Sequence, residues 1–286
     1  MIAKAQEPKS ANARTSTVRV TPISPLILLR EDVGGIAILT LNRPEARNSL
    51  SEALLVALGD AFTEIADEPK VRAVVLAANG PAFSAGHDLK ELKNHRSDPD
   101  RGRAYFKYIM ELCSTVMQQI VNLPQPVVAA VQGVATAAGC QLVASCDLAV
   151  ASAAAKFATP GVNVGLFCST PMVALSRNIA RKHAMEMLLT GDMVSAEDAL
   201  RIGLVNRVVA PGIEREEALA LGRKIAAKSA HVVKIGKEAF YRQVELGLKD
   251  AYRYAAQVMV DNMLARDAEE GIDAFVAKRQ PKWEDH

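Results

Sequence analysis

Two glycine-containing loops carry the residue types that could support chemistry in this chain. The first, Ala82–Lys90, follows a short apolar segment and contains the run Ser-Ala-Gly-His-Asp. The second, Gln132–Gln141, leads from another apolar segment into a short helical stretch. Small residues leave backbone N–H groups unobstructed, and a helix N-terminus adds unpaired N–H groups and a positive dipole end. Together the loops could converge on one oxygen as an oxyanion hole, although each alone is also typical of a tight turn.

The elements that would position these loops are predicted to alternate between strands and helices. The strands are predicted at about Ile27–Glu31, Ile36–Leu41, Ala73–Ala78, Val127–Gln132, Asp147–Ala151 and Val205–Val209. The helices are predicted at about Ser51–Asp67, Arg101–Asn122, Glu214–Lys228, Val232–Leu246, Lys249–Leu264 and Asp267–Lys278, with a short one after Gln132–Gln141. This order predicts an α/β core over residues 26–210 and a helical C-terminal region over residues 211–286.

The composition indicates a globular protein that acts on a small molecule or on another protein. Of its 286 residues, 50% are apolar, and 34 Lys and Arg against 32 Asp and Glu leave a net charge of +2. This balance gives no general electrostatic reason to bind nucleic acid or anionic lipid. No apolar run approaches the ~18 residues of a membrane span, so we expect neither nucleic acid nor membrane as a partner.

The cysteines and the first 25 residues bear on the cellular compartment. Cys113, Cys140, Cys146 and Cys168 form no CxxC pair and have no histidine at zinc-ligand spacing, which predicts buried reduced thiols and no metal. Residues 1–25 are rich in Ser and Thr and carry four Lys or Arg against one Glu, which predicts a disordered tail. A transit peptide is the alternative. We therefore expect a reducing compartment: the cytoplasm in a bacterium, or the mitochondrion in a eukaryote.

Five motifs resemble, in order and spacing, the enoyl-CoA hydratase/isomerase (crotonase) superfamily, and the likeness runs from about Leu26 to Trp283. They are Leu41–Leu50, Phe83–Leu89, Val131–Ala135, Cys146–Leu148 and Leu189–Asp192. The resemblance implies a ββα superhelix with a C-terminal helical trimerisation region, assembled as a trimer or a dimer of trimers. It also implies an acyl-CoA thioester as substrate or ligand, with no further cofactor.

The resemblance assigns roles to particular positions of the two loops. The thioester carbonyl would accept hydrogen bonds from the backbone N–H groups of His87 and Ala138. The family uses the main chain at the first of these positions, which disfavours chemistry by the His87 imidazole. The wider set of residues implied to bind substrate is Arg47, Ala85, His87, Asp88, Leu89, Lys90, Ala138, Phe275 and Lys278, the last two from a neighbouring subunit. The cations and Phe275 could equally be surface or interface residues.

The two glutamates that the family's hydratases use as acid and base are both absent. The positions that correspond to them hold Gln141 and Gly161. An amide cannot accept a proton near neutral pH, and the segment Thr159–Pro171 around the second position has no Asp, Glu, Lys, Arg or His. This segment, with Asp261-Asn262 and Ala274–Arg279, looks most like one subgroup of the family that lacks the usual pair.

Three functional hypotheses remain open at this point. The first is an acyl-CoA-binding family protein with weak or no hydratase activity. The second is a working enoyl-CoA hydratase of acyl-CoA metabolism that takes its acid from elsewhere, for which Glu111 is the candidate, although a solvent-facing charge on a helix would look the same. The third is a non-catalytic scaffold protein that keeps the assembly and has lost CoA binding.

Overall fold

Two β-sheets form the centre of the chain in a computed structural model that describes residues 20–24 and 27–286. The strands are β1 Val20–Ser24, β2 Leu28–Val33, β3 Ile36–Leu41, β4 Ala73–Ala78, β5 Ala82–Ser84, β6 Val127–Val131, β7 Val134–Thr136, β8 Leu148–Ser152, β9 Lys156–Ala158, β10 Val194–Ser195 and β11 Arg207–Val209. The larger sheet has the order β1-β2-β3-β4-β6-β8-β11, and the smaller one has the order β10-β9-β7-β5. In the larger sheet β3, β4, β6, β8 and β11 are parallel to one another, and β1 and β2 add an antiparallel edge.

Helices cover both faces of the larger sheet and form the end of the chain. They are α1 Glu52–Ala66, α2 Leu89–Asn94, α3 Arg103–Asn122, α4 Ala138–Ser145, α5 Pro171–Asn178, α6 Arg181–Thr190, α7 Ala196–Ile202, α8 Glu214–Ala226, α9 Ala230–Gln243, α10 Leu248–Met263 and α11 Arg266–Val276. Short 3-10 turns occur at Pro44–Ala46, His95–Ser97 and Pro160–Val164. The hydroxyl of Ser51 caps α1 by accepting the Leu54 N–H at 3.3 Å.

The central strands are apolar throughout because both faces of the larger sheet are covered. Alternate side chains of β3 and β4, such as Leu39 and Leu76, enter a large core with α1 and α3. The intervening ones, such as Ile38 and Val75, pack with Ala218 of α8 in a second, smaller core. Strands buried on both faces read as continuous apolar runs, which is why this part of the fold can be predicted from the sequence.

Asp147 fixes the start of β8 against its neighbours. Its carboxylate accepts hydrogen bonds from the Val127 N–H at 2.7 Å, the Lys237 ammonium at 2.7 Å and the Tyr241 hydroxyl at 2.9 Å. Lys237 also donates to the Ile120 carbonyl at 2.9 Å and the Gln125 carbonyl at 3.2 Å. We call Asp147, Lys237 and Tyr241 the Asp147 cluster, and it ties α9 to the end of α3 and to the larger sheet.

The α/β class is confirmed, but the sequence prediction differs from the structure in the N-terminal tail, in the smaller sheet and in helices α2, α5, α6 and α7, which it did not include. Residues 1–25 were expected to form a disordered tail, yet Val20–Ser24 form β1 and pair with β2. The free backbone edge of β2 provides this partner, and local composition does not reveal it. The remaining residues of the predicted tail, 1–19 and 25, lie outside the described residues. The smaller sheet was not predicted, because its strands are only two or three residues long.

The thiol, membrane and metal predictions can be compared with the part of the chain that the structure describes. All four cysteines are free and buried. In residues 20–24 and 27–286, no helix has the length and apolar character needed to cross a membrane. Over the same ranges, no cluster of three or more His, Cys, Asp or Glu side chains is placed to hold a metal ion.

Candidate functional site

The candidate site lies where three strands of the smaller sheet end. Strands β5, β7 and β9 are parallel neighbours, with Ala82 opposite Val134 and Thr136 opposite Ala158. Parallel strands bring their carboxyl ends to one edge of a sheet, where ligands bind in open α/β sheets. The residues that follow these ends are Ala85–Asp88 after β5, Ala137–Gln141 after β7, and Thr159 after β9. The smaller sheet therefore brings the two sequence-predicted loops together.

A buried asparagine holds the first loop in place. The Asn48 side chain is fully buried, and its amide donates to the carbonyls of Asn79 at 2.9 Å and Ala82 at 2.8 Å. The backbone carbonyl of Asn48 accepts from the Ser84 hydroxyl at 2.8 Å, and that hydroxyl accepts the Gly86 N–H at 3.3 Å. The backbone of β5 and the start of the loop are thus held by side-chain hydrogen bonds that substrate would not have to displace.

The second loop packs directly against the first. Gly139 lies so close to β5 that a Cβ placed on it would be 2.2 Å from the Ser84 carbonyl oxygen. A Cβ on Gly86, whose φ is +88°, would be 2.9 Å from the Ala137 Cβ and 3.1 Å from the Ala138 nitrogen. Only glycine permits this approach of the two backbones at either position.

Ala137 holds the turn into α4 in a strained conformation. Its φ is +51° and its ψ is −120°, values that a residue with a side chain rarely adopts. Such a conformation costs on the order of 1–3 kcal/mol and is typical of functional sites. The Ala137 N–H donates to the Ala158 carbonyl at 2.9 Å, which fixes this turn to β9. The turn orients the first N–H groups of α4 toward the neighbouring loop.

The backbone N–H groups of His87 and Ala138 are among those left without acceptors where the loops meet. Leu50 bridges to the first loop by donating to the Gly86 carbonyl at 2.8 Å and accepting the Asp88 N–H at 3.4 Å. In this pattern of hydrogen bonds the His87 N–H is not a donor. Ala138 is the first residue of α4, so its N–H has no partner within the helix. Among the described residues, neither N–H has a hydrogen-bond acceptor.

Three side chains at the same edge have buried polar atoms that lack hydrogen-bond partners. They are His87 at both ring nitrogens, Gln141 at Oε1 and Thr159 at Oγ1, considering the described residues alone. Burial lowers the pKa of the His87 imidazole, and the nearby Leu50 carbonyl offsets only part of this effect. The ring is therefore neutral at neutral pH. Buried polar groups without partners are rare, and their concentration at one sheet edge is typical of a binding site.

Neither position that corresponds to the missing glutamates provides an acid. Gln141 lies in the first turn of α4 and is only 4% exposed. Gly161 is buried under the loop that follows it, and a Cβ there would be 2.9 Å from the Cys168 sulfur and 3.0 Å from the Leu166 carbonyl oxygen. Burial raises the pKa of the Cys168 thiol, which keeps it protonated. The packing around Gly161 leaves no room for a side chain unless this loop moves.

The carboxylates predicted near the site are engaged elsewhere. Asp88 caps α2 and accepts hydrogen bonds from the Ser49 hydroxyl at 2.9 Å and the Arg43 guanidinium at 3.3 Å. Burial would raise the pKa of Asp88, but these hydrogen bonds and two from backbone N–H groups outweigh it and lower the pKa. The Glu111 side chain is 65% exposed, 3.8 Å from Lys107, and lies opposite the buried face of α3.

The remaining substrate-binding candidates divide between the loops and the C-terminal region. Arg47, Leu89 and Lys90 are exposed residues beside the first loop, and Ala85 within it donates its N–H to the Arg47 carbonyl at 3.0 Å. Phe275 is 84% exposed, so within one chain it packs against neither loop. Lys278 is exposed just beyond α11, with a φ of +53°. A single chain therefore does not bring the last two residues to the site.

Sequence reasoning missed two residues that shape the site. Asn48 lies inside a motif that it identified, but nothing in the motif shows that this side chain would hold β5. Thr159 was identified only as part of a segment without ionisable groups. Its position depends on β9, which is three residues long and carries too little apolar pattern to be predicted.

Comparison with known proteins relates this geometry to one family. The family model for enoyl-CoA hydratase/isomerase matches residues 31–286. Human enoyl-CoA hydratase domain-containing protein 3, mitochondrial, is 47% identical over 278 residues, which cover 97% of this chain and 88% of that protein. The resemblance to the enoyl-CoA hydratase/isomerase family and to this subgroup is thereby confirmed.

Solved structures agree with the sequence comparison. The crystal structure of an enoyl-CoA hydratase from Mycobacterium smegmatis has a TM-score of 0.86 and 55% sequence identity, covering 90% of this chain and 98% of that chain. The structure of human enoyl-CoA hydratase domain-containing protein 3 has a TM-score of 0.85 and 49% identity, covering 90% and 100%. The crotonase-like α/β fold is therefore confirmed as well.

Proposed function

The chain belongs to the enoyl-CoA hydratase/isomerase family, and we propose that it binds acyl-CoA thioesters in an oxyanion hole but hydrates 2-enoyl thioesters weakly or not at all. The observation that carries this proposal is the pair of unpaired N–H groups of His87 and Ala138 beside two positions that hold Gln141 and Gly161. The donors for a thioester oxygen are present, and the acid and base for water addition are absent.

The two donors account for thioester binding. A carbonyl oxygen that accepts both N–H groups gains two hydrogen bonds that the free protein leaves unmade. Each preorganised donor of this kind contributes about 2.7–4 kcal/mol when the oxygen takes on negative charge. Because the donors belong to the main chain, Ala138 serves as well as glycine would.

The missing carboxylates account for weak hydration. Each positioned acid or base contributes about 10²–10⁴ to the rate of a proton-transfer reaction. The Gln141 amide can hold a water molecule but cannot take its proton. The packing of Gly161 against Cys168 and Leu166 also leaves no room for a carboxylate-bearing side chain at position 161 itself.

The exposed cations are suited to the nucleotide part of coenzyme A. Arg47 and Lys90 lie beside the loop that would hold the thioester, and both are exposed. Phe275 and Lys278 would complete this surface from a neighbouring subunit. Lysine and arginine bind phosphate through charge-assisted hydrogen bonds, so a few local cations suffice even though the net charge is only +2.

Self-association as a trimer or a dimer of trimers is part of this proposal. Helices α9 and α10 contain no fully buried residue. Their large apolar side chains are exposed, among them Phe240 at 58%, Leu248 at 77% and Met263 at 60%, and Leu264, just after α10, is 81% exposed. Exposed apolar surface of this extent marks an interaction site. We expect three or six subunits by sedimentation equilibrium at micromolar protein concentration, and a monomer would contradict this part of the proposal.

Calorimetric titration combined with a hydration assay tests the main proposal. We expect acetyl-CoA, crotonyl-CoA and longer acyl-CoAs to bind, and free coenzyme A, which lacks the carbonyl, to bind more weakly. We expect the hydration of crotonyl-CoA to be at least about 10²–10⁴ slower than by a family hydratase that has both glutamates. Hydration at the rate of such a hydratase would favour the second hypothesis, an unrecognised acid. No acyl-CoA binding at millimolar concentration would favour the scaffold hypothesis.

The compartment follows from the source of the chain under this proposal. The human relative is described as mitochondrial, and another relative is a mycobacterial protein. We infer a mitochondrial location for a eukaryotic source and a cytoplasmic one for a bacterial source.

A further inference from the structure

A cleft between α8 and α9 lies at the opposite end of the larger sheet from the candidate site. Its volume is about 490 Å³, and its lining includes Pro126, just before β6, and Leu148, the first residue of β8. Strands β6 and β8 are parallel neighbours, so the cleft is at their amino ends. The chain leaves the carboxyl end of β6 toward β7 and the candidate site. We call this second site the α8–α9 cleft.

The walls of the α8–α9 cleft are apolar and held by the core. Leu148 and Ile225 line it and also pack against the smaller core of the larger sheet. Val233, Phe240 and Tyr241 line it from α9, where a spacing of seven and eight residues places them on one face over two turns, about 10 Å of helix. The apolar wall is therefore long enough to contact an extended hydrocarbon chain.

The charged side chains that line the cleft are three lysines and one aspartate, so the cleft carries an excess of positive charge. Asp147 and Lys237 neutralise each other at 2.7 Å and are only 14% and 7% exposed. Lys224 and Lys228 are exposed, and among the described residues neither ammonium group has a hydrogen-bond or ion-pair partner. The Lys228 backbone is nevertheless fixed, because its carbonyl accepts the Arg72 guanidinium at 2.6 Å.

The combination of these features indicates the class of ligand. A lysine in the last turn of a helix interacts favourably with the helix dipole, which accounts for Lys224 but not for Lys228, beyond the end of α8. Neither lysine explains the apolar surface beside it. Sites for small molecules have volumes of about 300–1,000 Å³ and apolar linings with a few polar groups. An apolar cleft with two unpaired cations is complementary to a molecule that has one anionic group and an apolar chain.

We propose that the α8–α9 cleft binds a fatty acid, with its carboxylate between Lys224 and Lys228 and its chain along Val233 and Phe240. A carboxylate has two oxygens, so each ammonium group donates to one of them. Burial of the chain against the apolar wall supplies the remaining affinity. This site does not depend on thioester binding by the loops after β5 and β7.

Calorimetric titration of the full chain with dodecanoate tests the proposal. We expect saturable binding that weakens as the salt concentration rises, because the head group is held by charge. Acetate has the carboxylate without the chain, and dodecan-1-ol has the chain without the charge, so we expect both to bind more weakly. For Lys224→Gln/Lys228→Gln we expect affinity for dodecanoate to fall about 2- to 30-fold, the range for two exposed charge pairs, and its salt dependence to disappear.

The control variant Lys234→Gln/Lys249→Gln removes the same charge from exposed lysines outside the cleft and should bind dodecanoate as the unchanged protein does. Sedimentation equilibrium of each variant shows whether self-association has changed. Saturating crotonyl-CoA should leave the dodecanoate affinity within a few-fold of its value without crotonyl-CoA. If crotonyl-CoA fails to bind while dodecanoate still does, the proposed function is wrong and the cleft proposal stands.

Three results would overturn the fatty-acid site. The first is no dodecanoate binding at millimolar concentration. The second is equal affinity of the two double variants, or of dodecanoate and dodecan-1-ol, which would show that the lysines hold no carboxylate. The third is displacement of dodecanoate by crotonyl-CoA, which would place the fatty acid in the candidate site. A change in self-association of Lys224→Gln/Lys228→Gln without a change in dodecanoate affinity would instead assign the cleft to contacts between subunits.

Discussion

Replacing Gly139 with alanine is expected to remove most of the acyl-CoA affinity by adding a single methyl group. That methyl would lie 2.2 Å from the Ser84 carbonyl oxygen and 2.8 Å from the Ser84 carbonyl carbon, so α4 and β5 must separate. Both contacts are with backbone and cannot be relieved by a side-chain rotation. Since α4 carries the Ala138 N–H and β5 leads to the His87 N–H, their separation takes one donor away from the thioester oxygen. Loss of one hydrogen bond to the neutral carbonyl oxygen corresponds to about 0.5–1.5 kcal/mol, or roughly 2- to 10-fold in affinity, and the displacement of the second loop adds to this.

Calorimetry with crotonyl-CoA measures this effect, and far-UV circular dichroism reports whether the variant is folded. Gly236→Ala is the matched control, because a Cβ at Gly236 meets no atom within 4 Å. If Gly139→Ala fails to fold, Gly86→Ala tests the same junction from the other loop, where the added methyl would be 2.9 Å from the Ala137 Cβ. A folded Gly139→Ala protein that binds as tightly as Gly236→Ala would show that the apposition of these loops does not create the binding site.

Replacing Asp147 with alanine is expected to give the largest loss of stability among single charge removals. The side chains of Asp147 and Lys237 are only 14% and 7% exposed, and their carboxylate and ammonium groups are 2.7 Å apart. The substitution leaves the Lys237 ammonium buried with carbonyls alone, and it leaves the Tyr241 hydroxyl and the Val127 N–H without acceptors. Burial lowers the pKa of Lys237, and Asp147 opposes that shift, so the variant also favours deprotonation of the amine.

Breaking a buried ion pair by removing one partner costs about 3–5 kcal/mol, and we expect a loss of this order in the free energy of unfolding. Urea denaturation at matched protein concentration measures it. Asp198→Ala is the control, because Asp198 pairs with Arg201 at 2.9 Å but both side chains are more than half exposed, and such pairs contribute about 0–1 kcal/mol. Equal losses for the two variants would contradict the role of the Asp147 cluster. If Asp147→Ala is not recovered folded, Lys237→Met provides a milder test.

The larger sheet could be predicted from the sequence because each of its central strands is a continuous apolar run. Ala73–Ala78 begins and ends where the sequence places it, and Ser51 caps α1 as its residue type indicates. The smaller sheet could not be predicted in the same way. Its strands β5, β7 and β9 have three residues each, and their pairing depends on contacts between segments more than 20 residues apart. Short elements of this kind are determined by tertiary packing and not by local pattern.

In the candidate site, too, some features can be predicted from the local sequence and others depend on tertiary packing. Glycine and small residues mark both loops in the sequence, and the resemblance identifies which N–H groups matter. The sequence alone could not show that both ring nitrogens of His87 are buried, because that depends on how the folded chain encloses them. Nor could it show that Gly161 is too closely packed to accept a carboxylate, since the contacting loop at Cys168 has no recognisable pattern.

The two longest helices of the C-terminal region have a consequence for the stability of this protein. Helices α9 and α10 have 14 and 16 residues, and neither contains a residue that its own chain fully buries. Helices of this length are marginal in water and owe most of their stability in proteins to packing on another surface. If the chain self-associates as we propose, other copies would pack on the exposed faces of both helices, in addition to the anchoring of α9 by the Asp147 cluster. Under that proposal we expect dilution to destabilise residues 230–263, because the stability of an associating protein depends on its concentration.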